Sequence, residues 1–123
     1  MNKAIIGLGS NVKDGLSLLE ECCKNVVAVT ASSRFSTCYR TSPVGSMPSP
    51  DYHNCVGIVE TEWDYDRLHD AFKALEKAAG RTPESKCRGE VPLDIDIVVW
   101  NGEVKRPRDM EQAYIRIGLS QLE

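Results

Sequence analysis

The sequence predicts an α+β fold, a ferredoxin-like βαββαβ sandwich, on three observations. Residues 14–29 and 64–80 space their apolar side chains at the three-to-four interval of amphipathic helices. Residues 3–9, 52–62 and 92–100 read as strands, rich in β-branched residues and bounded by turn formers. Two strand patterns follow one another in the middle of the chain, with one helix in each half, which is the order of a split βαβ unit. Four strands then form a mainly antiparallel sheet, with two helices on one face.

Each element has its own signal. "KAIIGLG" is a short apolar run ending in Gly and Ser, a strand entering a turn. "DGLSLLEECCKNVVAV" puts Leu16, Leu19, Cys23 and Val26–Val27 on a helical stripe, with Asp14 in place to cap it. "VTASSRFSTCYRT" is rich in Thr, Val and aromatics and reads as one long strand. "SPVGSMPSPD" has three prolines and a glycine, so it is a loop. "YHNCVGIVETE" returns to strand. "DYDRLHDAFKALEKAAG" is the clearest helix, opened by Asp64 and closed by Gly80. "RTPESKCRGEV" reads as a second polar loop, "PLDIDIVVW" as a strand, and "NGEVKRPRDM" opens with an Asn-Gly turn. The pattern of residues 111–123 fits a short strand and a final helix equally well.

With 123 residues, the chain is read as a single domain spanning 1–123. A net charge of −3 gives no bulk attraction to a nucleic-acid backbone or an anionic membrane. No run approaches the roughly twenty apolar residues of a membrane span, and the N-terminus lacks the extended apolar region of a secretory signal. The five cysteines are irregularly spaced and include no CxxC pair, which argues against a disulfide framework or a zinc site. The expectation is a cytoplasmic protein with reduced thiols, with neither nucleic acid, membrane nor an obligatory protein partner.

The chemistry concentrates in "PLDIDI". On a strand, Asp94 and Asp96 share a face, and two adjacent carboxylates need a cation between them. Hard oxygen ligands without His or Cys suit Mg²⁺, which at such a pair bridges substrate phosphates. Arg81, Lys86 and Arg88 precede the pair and could face those phosphates. The alternative is a solvated strand face paired with surface lysines and arginines. Tyr52 and Asn54, two apart on a strand beside the proline-rich loop, could close over and read the edge of a flat heterocycle; structural polar residues on a strand would look the same. "GLGSN" lacks the residues of a phosphate loop, so its glycines are expected to make a tight turn.

Taken together, "IGLGSNV", "YRTSPVG", "DYHNCVGIVET", "LEKAAGR" and "PLDIDIVVW" resemble, in order and interval, the successive motifs of the 6-hydroxymethyl-7,8-dihydropterin pyrophosphokinases of the folate pathway. The resemblance runs from about residue 3 to residue 115. It implies a ferredoxin-like fold and Mg²⁺-dependent transfer of pyrophosphate from ATP to the pterin's hydroxymethyl group. It implies Asp94 and Asp96 as metal ligands and, with Arg81, as the catalytic set. Thr41, Pro43, Val44, Tyr52, Asn54 and Tyr114 fall at pterin-binding positions. Glu76, Arg81, Arg88, Ile97, Arg106 and Arg108 fall on the nucleotide side.

The chain also departs from the family pattern. Val91 and Gln112 stand where the family carries arginines, and a further loop arginine would fall near Pro83. Arg88 stands where a tryptophan is usual, Arg106 where a nucleotide-contacting histidine is, and Tyr114 where a pterin-stacking phenylalanine is. The family's C-terminal extension has no counterpart. An arginine on the transferring group can supply orders of magnitude in rate. The departures therefore imply a second possibility, a relative that binds pterin or nucleotide with little or no turnover.

Overall fold

A computed structural model describes residues 1–42 and 50–123. In chain order the elements are β1 (Asn2–Ser10), α1 (Gly15–Ala28), β2 (Ser32–Phe35), β3 (Tyr39–Thr41), β4 (Tyr52–Thr61), α2 (Tyr65–Ala78), α3 (Pro83–Cys87), β5 (Asp94–Trp100), β6 (Glu103–Val104), α4 (Pro107–Met110) and α5 (Ala113–Leu122). The sheet runs β2-β4-β1-β5-β6, with β3 also on β4, and each of these pairings is antiparallel. The βαββαβ order predicted from the sequence is present in α1, α2 and the strands around them. No helix among the described residues is long and apolar enough to cross a membrane.

Alternation along the strands divides the core in two. Ala4, Ile6 and Leu8 of β1, Cys55 and Val59 of β4, and Ile95 and Ile97 of β5 point to one face. There they bury Leu19, Cys22 and Val26 of α1 and Leu68 and Phe72 of α2. Val56, Val98 and Val99 point to the other face and pack on Ile115 and Leu119 of α5. The tail is thus a helix, because Ile115, Leu119 and Leu122 recur at helical spacing and the far side of the sheet offers apolar surface to cover. The helical cover therefore extends to both faces.

Three further differences from the sequence reading have local causes. The strand expected over 29–41 divides at Ser36, whose hydroxyl accepts from the Val56 amide in place of a ladder partner, and with β6 added the sheet has six strands among the described residues rather than four. The polar loop after α2 contains α3, because Thr82 and Ser85 form a reciprocal capping box with Pro83 at the first position. Asp14 stands at the start of α1 but makes no side-chain cap bond, whereas Asp64 accepts from the Arg67 amide at 2.8 Å.

The approach of α5 to the sheet depends on Gly118. A β-carbon there would lie 2.5 Å from Val56 Cγ2 and 2.7 Å from the Tyr39 hydroxyl. Gly118→Ala is expected to destabilise the fold by about 1–3 kcal/mol, as overpacking does. Urea unfolding checks this, and an unchanged midpoint would contradict the tight packing.

Candidate functional site

Three elements bring the acidic residues together. β5 begins at Asp94, so Asp94 and Asp96 share the face opposite Ile95 and Ile97. α2 presents Glu76 on its buried side, where Oε2 accepts from the Ile95 amide at 3.0 Å. Carboxylate oxygens of Glu76, Asp94 and Asp96 all lie within 4.8 Å of one another. Cations surround them. Lys73 Nζ is 3.2 Å from Glu76 Oε1 and 3.8 Å from Asp96 Oδ1, and Arg81 Nη1 is 3.2 Å from Glu76 Oε2 and 3.0 Å from Asp94 Oδ1.

Local structure aims both arginines. Just past the end of α2, Gly80 with its φ of +99° turns the chain back, so that Arg81 donates its amide to the Glu76 carbonyl and lies against the helix end. The second arginine depends on an irregularity in β5. The β1–β5 register passes from Ile6↔Ile97 to Ile5↔Val99, leaving Val98 extra as a bulge. The Val98 carbonyl then accepts from the Lys105 amide at 2.8 Å and the Arg106 amide at 3.3 Å. This anchors Arg106 with Nη1 3.8 Å from Asp96 Oδ1.

Two cavities meet at this cluster. One, of about 180 Å³, is lined by Gly7, Gly9, Thr41, Tyr52, Asn54, Asp94, Asp96, Asp109 and Tyr114, among others. The glycines of "GLGSN" lie inside β1 rather than in the expected turn, and their missing side chains leave the cavity floor open: a β-carbon on Gly9 would come within 3.0 Å of Asn54 Oδ1. Asn54 is 4% exposed and donates to the Thr41 hydroxyl at 2.5 Å, which fixes the amide's orientation. The second cavity is a more open groove of about 500 Å³ along α2, lined by Asp70, Lys73, Ala74, Glu76, Lys77 and Arg81. Its three basic residues outnumber Asp70 and Glu76, which leaves the lining net positive. Asp94 and Asp96 border the first cavity and Glu76 and Arg81 the second, so the cluster forms the wall between them.

The expected residues divide accordingly. Thr41, Tyr52, Asn54, Asp94, Asp96 and Tyr114 share the enclosed cavity, and Glu76, Arg81 and Arg106 adjoin it. Ile97 is buried in the core on the α1/α2 face. Arg88 closes α3 and pairs with Glu90, and exposed Arg108 sits in α4; neither is among the described residues lining these two cavities. Pro43 and Val44 lie outside the described residues. Sequence reasoning missed Lys73 and Asp109. Lys73 was legible as the i−3 neighbour of Glu76 on a helix. Asp109 carried no signal before the fold brought it to the cavity.

Three carboxylates in an oxygen-only set suit a hard dication such as Mg²⁺, and the surrounding lysine and arginines show that the cluster is neutralised from outside. Burial, then the Asp94 charge, pushes the Asp96 carboxyl up to about 7, against the opposing pull of Arg106 and Lys73. A metal ion held at Asp96 would therefore compete with a proton there. Mg²⁺ affinity is expected to fall about tenfold per pH unit below 7 and to level off above it. Calorimetry at pH 6 and 8, in buffers of different ionisation enthalpy, would show proton release at the lower pH only. Equal affinity at both would contradict the shift.

Comparison with known proteins agrees with the geometry. The sequence model described as 7,8-dihydro-6-hydroxymethylpterin-pyrophosphokinase matches residues 5–123. The chain is 31% identical to a 2-amino-4-hydroxy-6-hydroxymethyldihydropteridine pyrophosphokinase of Haemophilus influenzae, over 85% of this chain and 66% of the relative. Proteins of the same name from Helicobacter pylori and Bacillus subtilis are 26% and 28% identical, over 89% and 98% of this chain and 69% and 78% of theirs. The chain thus spans about two thirds of the first two relatives and rather more of the third.

Proposed function

The chain belongs to the 7,8-dihydro-6-hydroxymethylpterin-pyrophosphokinase family, and we propose that it transfers pyrophosphate from ATP to the hydroxymethyl group of 6-hydroxymethyl-7,8-dihydropterin, a step of folate biosynthesis. The observation that carries this reading is the carboxylate cluster standing between an enclosed cavity and a basic groove. A two-substrate transfer needs such a wall, with the acceptor on one side and the phosphate chain on the other.

The pterin occupies the enclosed cavity. Asn54, held by Thr41, reads its hydrogen-bonding edge, and Tyr52 and Tyr114 lie against the ring. The triphosphate lies along the groove against Lys73, Lys77 and Arg81. Asp94 and Asp96, with Glu76 beside them, would hold Mg²⁺, which would neutralise phosphate charge and orient the chain. The hydroxymethyl oxygen attacks the β-phosphorus and its proton passes to solvent, the bond from the β-phosphorus to the α–β bridging oxygen breaks, and AMP leaves with that oxygen. Arg81 and Arg106 flank the point of transfer and stabilise the charge that builds there, from backbone positions other than those of Val91 and Gln112.

Incubation of the chain with ATP, Mg²⁺ and the hydroxymethyl pterin should yield AMP and a diphosphorylated pterin in equal amounts. No AMP at enzyme concentrations matching the substrate, or ADP in its place, would refute the reading.

A further inference from the structure

Asp109 carries none of the roles above, yet it joins Arg106 to Tyr114. Its side chain lines the enclosed cavity and is 18% exposed. Oδ2 accepts from Arg106 Nε, and Oδ1 accepts from the Tyr114 hydroxyl at 2.6 Å. Arg106 in turn reaches Asp96. The carboxylate does not cap α4, the four-residue helix that carries it, so both oxygens are committed to the site.

We propose that Asp109 is a positioning residue acting through both partners: it fixes the Arg106 guanidinium beside the carboxylate cluster and the Tyr114 phenol in the cavity wall. The ligands at those two points are the ones the pyrophosphokinase reading supplies, and in that respect the proposal rests on it. The physical case is one of ordering. The Arg106 side chain is 49% exposed, and a half-exposed arginine has many rotamers to lose. A charge-assisted bond at Nε leaves its terminal nitrogens facing the cluster and orders the side chain before any ligand arrives. Tyr114 is an amphipathic ring with one polar end, and anchoring that end fixes the plane the cavity presents. Burial first, and Asp109 second, push the Tyr114 phenol well above its usual range, which keeps it a donor to the carboxylate. The guanidinium beside Asp96 and the phenol in the cavity wall thereby share one fixed carboxylate.

The test is a pair of double-mutant cycles, Asp109→Asn with Arg106→Gln and Asp109→Ala with Tyr114→Phe. Each variant is followed by kcat and KM, and by calorimetric affinity for the pterin and for Mg²⁺ with α,β-methylene-ATP, whose scissile bridge cannot break. Unfolding midpoints confirm that each variant folds. Asp109→Asn, which keeps an oxygen for the phenol, should lower kcat roughly tenfold and weaken the ATP analogue while sparing pterin affinity. With Arg106→Gln already present, the same change should alter kcat and analogue affinity less than about twofold. Asp109→Ala should also weaken pterin binding several-fold, but not once Tyr114 is Phe. Equal losses in both backgrounds, or none, would overturn the proposal and leave the function standing. A wild-type chain that binds both ligands without releasing AMP would overturn the function, and the calorimetric arms would still decide on Asp109. Binding of neither ligand would overturn both.

Discussion

Asp96→Asn is expected to lower kcat by at least about 10³-fold, some 4 kcal/mol of lost transition-state stabilisation, while raising the unfolding midpoint of the metal-free protein. The two effects share a cause. The Asp96 side chain is 15% exposed, and its cations, Lys73 and Arg106, are each 3.8 Å away. Burial and the neighbouring Asp94 charge push its carboxyl up to about 7. Because the folded-state value exceeds the unfolded one, the favourable contribution is full below about pH 4 and is lost as pH rises through 7. At pH 8 the ionised carboxylate thus costs stability, on the order of 2 kcal/mol. A neutral amide removes that cost, which should raise the midpoint by roughly 5–10 °C. Calorimetry at pH 8 with a chelator checks the stability, and AMP release with Mg²⁺ checks the rate. A lowered midpoint, or turnover within tenfold of wild type, would contradict the assignment.

Glu76→Ala should act in the opposite direction on stability. Glu76 is 5% exposed and fully satisfied: Oε2 takes the Ile95 amide at 3.0 Å and Arg81 at 3.2 Å, and Oε1 takes Lys73 at 3.2 Å. Truncation leaves a buried amide without an acceptor and two cations without a partner. Breaking such a buried pair costs about 3–5 kcal/mol, a fall in midpoint of roughly 10–15 °C. Glu76→Gln, which keeps an acceptor for the Ile95 amide, should recover more than half of this. Urea unfolding of the three proteins is the measurement, and a loss below about 1 kcal/mol for the alanine variant would show that the Ile95 bond is unimportant. Two carboxylates within 4.8 Å thus differ in sign because one is surrounded by close donors and the other is not.

The sequence showed the candidate site residues better than it showed how they meet. Asp94 and Asp96 were legible because strand alternation forces two carboxylates onto one face. Tyr52 and Asn54 were legible for the same reason, and α2 through its amphipathic spacing with Asp64 and Gly80 at its ends. The joining of β5 to α2 through the bond from the Ile95 amide to Glu76 spans 19 residues and depends on helix–sheet packing that no local pattern encodes. The Arg106 contact depends on the Val98 bulge, which "DIDIVVW" reads as regular strand. The helix in the tail became decidable only once the far face of the sheet required cover. Ile97 was expected on the nucleotide side, but its parity with Ile95 sends its side chain to the core.

The central claim is that one carboxylate cluster holds a dication between two substrate sites. A crystal grown with Mn²⁺, α,β-methylene-ATP and the hydroxymethyl pterin tests it directly through the anomalous signal of manganese. The account predicts manganese on Asp94 and Asp96, the triphosphate along Lys73, Lys77 and Arg81, and the pterin beside Asn54 and Tyr114. Manganese elsewhere, or a pterin outside the cavity of Thr41, Tyr52 and Asn54, would contradict it.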